Sequence, residues 1–84
     1  MLTCQVSLFP LGREDYERVV LKSLESLAEF DVDVDVTPLS TLIRGDEEEV
    51  WKAVRALYDA GAREGGKVVV FLTLTNRTGE TGSS

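Results

Sequence analysis

Residues 2 to 9, LTCQVSLF, alternate with a period of two. Leu2, Cys4, Val6 and Leu8 fall on one side and Thr3, Gln5, Ser7 and Phe9 on the other, as in a strand with one buried face. Pro10 lacks a ladder donor and Gly12 permits a turn, so the strand stops there. From about Glu14 the period lengthens. Tyr16, Val19, Val20, Leu24 and Leu27 make a helical stripe above a wet face of Glu14, Glu17, Arg18, Lys22 and Glu25, ending near Phe30. The run DVDVDV then sets Val32, Val34 and Val36 against Asp31, Asp33 and Asp35. Aspartate is a poor strand former, so this strand requires its valine face to be buried. Pro38 bends or ends it. A tight antiparallel connection leads to a third strand, Leu39 to Arg44.

Gly45 and Asp46 open a second helix, in which Asp46 is the expected N-cap and Glu49 the expected closing member of a capping box. Val50, Val54 and Leu57 form its core stripe, with Ala53 and Tyr58 alongside, and Gly61 is the expected stop. Gly65 and Gly66 lead into KVVVFLTLTN, where Val68, Val70, Leu72 and Leu74 oppose Val69, Phe71, Thr73 and Thr75. Residues 1–76 therefore predict one domain, followed by a small polar tail, 77–84, expected to be disordered. The order is β-α-β-β-α-β. Right-handed crossovers make this an α+β, ferredoxin-like fold: a four-stranded antiparallel sheet, spatial order 4-1-3-2, with both helices on one face.

Such a sheet leaves its second face open, to be wetted or covered by a partner. By alternation that face carries Thr3, Gln5, Ser7 and Phe9 from the first strand, the aspartates from the second, and Val69, Phe71, Thr73 and Thr75 from the last. The phase of the third strand is open: either Ser40, Leu42 and Arg44 or Leu39, Thr41 and Ile43 could face that way. The aspartates read as protection of an edge strand, and Phe9 with Phe71 as a cross-strand aromatic pair beneath an interface. Trp51, near the start of its helix and off the central stripe, reads as a partly buried packing or interface residue.

Composition narrows the chemistry. At 84 residues and 43% hydrophobic, the chain sits near the lower limit for burying its own core, which favours self-association. A net charge of -6 disfavours nucleic acid and anionic membrane. There is one cysteine and no histidine, so an internal disulfide is excluded, and zinc sites and histidine acid/base catalysis are excluded or nearly so. Cys4 lies in the alternating strand as a small buried hydrophobe. No leader and no membrane-length apolar run are present, which points to the cytoplasm. Nucleotide-binding and hydrolase motifs, metal-spaced carboxylates and an isolated acid/base pair are absent too, so the reading is binding without catalysis, metal or cofactor.

The blocks CQVSLFPLG with DYERVV, VTPLSTLIRGDEEEVWKAVRALYDAG and GGKVVVFLTLTN together resemble the small thiamine-binding, YkoF-like proteins, from Leu2 to Asn76. The block PLSTLIRGDEEEV is the most specific part. The resemblance implies the ferredoxin-like fold, association through the sheet into dimers or tetramers, and binding of thiamine or its hydroxymethylpyrimidine moiety. It assigns Gln5, Ser7, Ser40 and Thr41 as ligand-binding positions and Phe9 as a wall for the ring. Better-characterised members carry two such domains, so a comparable site here would form between subunits. Arg13 stands where the family turn has a small polar helix cap, which weakens that cap.

Two further readings stand beside this one. The first is an ACT-like interaction or regulatory module that docks through its sheet and holds no small ligand. The second is an enzyme using Asp33 and Asp35.

Overall fold

A computed structural model describes residues 1–37 and 39–77. The elements run β1 (Leu2–Pro10), α1 (Tyr16–Leu24), a short 3-10 helix (Glu25–Glu29), β2 (Val32–Val36), β3 (Thr41–Gly45), α2 (Glu47–Gly65) and β4 (Val68–Thr75). The strands form one sheet in the order β2-β3-β1-β4, every neighbouring pair antiparallel. This is the ferredoxin-like arrangement expected from the alternation. The tail 78–84, expected to be disordered, lies outside the described residues.

The helices cover the face bearing Leu2, Cys4, Val6 and Leu8. There the β1 residues meet Leu27, Ile43, Val50, Ala53, Val54 and Leu57 in one core. Each large aliphatic side chain removed from water here contributes roughly 1.5–3 kcal/mol. Register settles the phase of the third strand: Ile43 lies opposite Cys4 and Thr41 opposite Val6, so both point to the helices, while Leu42 and Arg44 share the open face with Gln5 and Thr3.

Several local expectations are corrected. The valine face of β2 shares the helical side with Ile43 and Thr41, yet Val34 remains 40% and Val36 58% exposed. β2 is an edge strand, and the helix layer does not reach over its outer half. The first helix gives way after Leu24, because Ser23 donates its hydroxyl to the Val19 carbonyl (2.7 Å) and Ser26 donates to that of Ser23 (2.7 Å). This back-bonding loosens an α-helical turn into the 3-10 segment. Gly61 does not stop α2. It lies inside the helix, where a Cβ would come within 3.0 Å of the Leu8 side chain, so the glycine permits close approach to β1. The helix ends instead at Gly66, whose φ of +81° suits glycine.

Neither helix start uses its acid as a side-chain cap. Asp46 is the N-cap residue of α2 without a side-chain cap bond, and Glu49 accepts a hydrogen bond from the Asp31 N–H (3.3 Å) instead of closing a capping box. Glu49 thereby ties the helix to the approach to β2. At α1 the N-cap is Asp15, not position 13 where the family turn placed it; Asp15 is drawn onto Arg13 (2.8 Å) and Arg18 (2.9 Å) and makes no cap bond.

Candidate functional site

The unequal lengths of the strands create a cavity. β1 pairs with β4 from Thr3 to Pro10, but its pairing with β3 stops at Val6↔Thr41. Beyond Val6 the edge of β1 is left without a strand neighbour on that side, and the chain between Val36 and Thr41 turns away toward β2. A notch opens there, roofed by α1. Its volume is about 210 Å³.

Val20 and Leu24 from α1, Val36 from β2 and Leu57 from α2 supply the apolar wall. Ser7, Ser40 and Thr41 supply hydroxyls, and Phe9 and Leu39 line the cavity with them. Leu39, at 88% exposure, stands at the rim. No charged side chain lines the cavity among the described residues. The site suits a neutral, flat group with a few hydrogen-bonding atoms.

The turn that closes the notch is held by Thr37. Its hydroxyl accepts from the backbone N–H groups of Leu39 (3.3 Å) and Ser40 (3.1 Å) and donates to the Ser40 carbonyl (2.8 Å), while its own N–H donates to that same carbonyl (2.8 Å). This is local side-chain to backbone satisfaction of the kind expected of turn hydroxyls, but it falls to Thr37, not to Ser40 or Thr41. The hydroxyls of Ser40 and Thr41 make no hydrogen bond among the described residues. Thr41 is buried, and no sealed, unpartnered side-chain oxygen occurs among the described residues, so its hydroxyl has access to the cavity. Ser7 donates a long bond, 3.4 Å, to the Leu39 carbonyl.

Four of the five positions singled out from the sequence, Ser7, Phe9, Ser40 and Thr41, therefore meet in one cavity. Gln5 does not. It lies exposed on the open face between Leu42 and Thr73, outside the notch. The apolar wall was not singled out, because Val20, Leu24 and Leu57 sit on helical stripes that read as plain core. The signal available was length: a nine-residue β1 beside a five-residue β3 must leave part of one edge unpaired.

A shallower groove lined by Tyr16, Glu17, Val20 and Leu21 adjoins the cavity through Val20 and Leu21. That groove is bordered by an aromatic ring and a carboxylate. On the open face, Phe9 and Phe71 meet edge-to-face with centroids 5.7 Å apart, as their alternation suggested. Asp33 and Asp35 border only a recess of about 50 Å³, and the described residues contain no metal-binding cluster of three or more acidic, cysteine or histidine side chains. No helix among those residues is long and apolar enough to cross a membrane.

A ferredoxin-like sheet with a cavity beside its β2–β3 turn defines a small α+β domain. The chain belongs to the YkoF-related family, whose profile matches residues 1–78. The UPF0045 protein MJ1052 of Methanocaldococcus jannaschii is 26% identical over 77 residues, covering 90% of this chain and 77% of the relative. Its crystal structure superposes with a TM-score of 0.83 over 94% of this chain and 82% of that one. Protein SP2199 of Streptococcus pneumoniae shares the fold at a TM-score of 0.83 and 20% identity, over 98% of this chain and 90% of that one. Protein TM0486 of Thermotoga maritima, provisionally assigned to thiamine biosynthesis or salvage, shares it at 0.79 and 19% identity, over 93% and 85% of the two chains.

Proposed function

We propose that this chain binds thiamine or its hydroxymethylpyrimidine moiety in the notch beside β1 and acts as a carrier, salvage partner or sensor without converting its ligand. The observation that carries this reading is the pair of unengaged hydroxyls, Ser40 and Thr41, facing an uncharged apolar cavity. An aminopyrimidine presents an amino donor and ring-nitrogen acceptors, and a hydroxyl serves either role. The size agrees: 210 Å³ lies below the roughly 300 Å³ at which drug-sized pockets begin. One substituted six-membered ring fits, and the thiazolium of thiamine lies outside, over Tyr16 and beside Glu17. The provisional assignment of TM0486 supports the same direction.

Calorimetric titration with hydroxymethylpyrimidine and thiamine in parallel tests the reading. Micromolar binding, about 8 kcal/mol, is expected for one or both. Thr41→Val, which removes the hydroxyl and keeps the shape, should weaken both ligands, and Tyr16→Ala should weaken thiamine alone. Absence of binding by the folded protein, or equal affinity in Thr41→Val, refutes the assignment. The alternative, an ACT-like interaction module without a small ligand, draws on the exposed apolar groups along β4. It predicts stoichiometric capture of a macromolecular partner and no heat from either ligand.

A further inference from the structure

The pleat of β1 fixes where its backbone groups point. Successive residues of a strand turn to opposite edges, and the N–H and C=O of one residue share an edge. Leu11, just past the strand, donates its N–H to the Lys67 carbonyl (2.9 Å), so the odd-numbered residues of β1 bond toward β4 and the even-numbered ones toward β3. The other side of the sheet agrees. Thr37 donates its N–H to the Ser40 carbonyl (2.8 Å), which sets the even-numbered residues of the third strand toward β2 and the odd-numbered ones toward β1. Leu2, Cys4 and Val6 therefore exchange hydrogen bonds with Gly45, Ile43 and Thr41. The next even-numbered residue, Leu8, has no strand opposite it.

Continuing the same register would set Leu39 against Leu8. The turn prevents it, because the Leu39 N–H goes to the Thr37 hydroxyl (3.3 Å) and the Leu39 carbonyl accepts from the Ser7 hydroxyl (3.4 Å). The Leu8 N–H and C=O thus have no hydrogen-bond partner among the described residues, and they point to the edge that borders the cavity. Pro10, the following even-numbered residue, has no N–H to offer. From Ser7 to Pro10, Leu8 alone turns both a donor and an acceptor to that side. Buried backbone groups are seldom left bare in proteins, and Leu8 is only 9% exposed.

We propose that the main chain of Leu8 selects the ligand by pairing with an amino group beside a ring nitrogen: the ring nitrogen accepts from the N–H, and the amino group donates to the carbonyl. Resting on the assignment of the notch to a pyrimidine, this pairing names the edge by which the ring is recognised. In a sheet the two groups of such a residue are answered by one donor and one acceptor lying side by side, and an aminopyrimidine presents the same two in one plane. The ring then continues the sheet where β3 is absent, below Val20 and Leu24 of α1. A single ring suits this edge better than an added peptide strand, which would find one complete pairing before Pro10 and a cavity of about 210 Å³. Ser40 and Thr41 remain for the other polar atoms of the ring.

Calorimetry on the unmodified chain with hydroxymethylpyrimidine, and with the analogue that has hydrogen in place of its amino group, tests the proposal. The first titration is repeated on a chemically synthesised chain in which the Leu8 amide is an ester, a change that keeps every side chain and removes one N–H. Each change should weaken binding about tenfold or more, with circular dichroism confirming that the ester chain is folded. Hydrogen exchange gives a measurement on the unmodified chain alone. The Leu8 amide should exchange faster than that of Val6 in the free protein and slow when hydroxymethylpyrimidine saturates it. Equal affinity for the two ligands, equal affinity in the folded ester chain, or a Leu8 amide as protected as Val6 before ligand is added overturns this proposal and leaves pyrimidine binding standing. Absence of binding by the unmodified chain overturns both.

Discussion

The two halves of β1 live in different surroundings. From Thr3 to Val6 the strand is paired on both sides, lies under α2, and presents Cys4 and Val6 to the buried core. From Ser7 to Pro10 it is paired with β4 alone, and its other edge borders the cavity. The same alternating sequence thus makes a fully satisfied core in one half and a partly satisfied wall in the other. What changes is the length of the neighbour, not the character of the strand. A cavity arises here because β3 begins only at Thr41, opposite Val6.

Substitutions can break this contrast in graded steps. The largest effect belongs to Ile43→Ala, beneath the doubly paired half. Ile43 is fully buried opposite Cys4 and Val34, and the change should cost about 2–5 kcal/mol, read as a fall in the urea midpoint. In so short a chain that is a large share of the total. Thr37→Val comes next. It removes the hydroxyl that gathers the turn at the open half and should cost about 1–2 kcal/mol. Thr41→Val, by contrast, removes a hydroxyl with no hydrogen-bond partner among the described residues and should leave the midpoint nearly unchanged.

Gly61→Ala sharpens the comparison further. The added methyl meets Leu8 at 3.0 Å, and Leu8 borders the cavity, so the side chain has room to yield. The gain in helix propensity, about 1 kcal/mol, offsets the crowding, and the net change in stability should stay within about 1 kcal/mol. The cavity shrinks, so ligand affinity should fall while the melting transition hardly moves. The smallest effect is expected of Asp15→Asn. Hydrogen bonds from Arg13 and then Arg18 hold the Asp15 carboxyl well below the usual carboxylate range. A lowered native pKa contributes stability above the unfolded value, about pH 4, and that contribution is lost as pH falls below it. The group is exposed, so Asp15→Asn should lower stability only slightly, and only above about pH 4, leaving the acid end unchanged and the acid limb correspondingly shallower.

Alternation carried the architecture because period-two and helical patterns are each enforced by a single buried face. It failed where burial depends on reach across the sheet. Val34 and Val36 have the pattern of core residues but lie beyond the helices, and nothing within the chain's local pattern encodes how far a helix layer extends. The phase of the third strand was illegible for a related reason: STLIR places large aliphatics at both parities, in Leu42 and Ile43. Gly61 was read as a stop because a helix-end glycine and a close-packed glycine look alike in sequence. At the site, the resemblance brought forward Ser7, Ser40, Thr41 and Phe9, which do converge. It also brought forward Gln5, which shares the face of Ser7 and Phe9 but lies in the half of β1 that is paired with β3, away from the notch. Thr37 escaped notice because its role depends on the path of the turn rather than on spacing along a strand.

Cys4 has a consequence for handling the protein. The thiol is wholly buried in the doubly paired half of β1, and burial pushes it above its ordinary titration range. A thiol reagent reaches it only when the sheet opens. The rate of alkylation is then a clock for that opening, and because the chain has no other cysteine, a disulfide-linked pair of chains in a preparation records that both had opened.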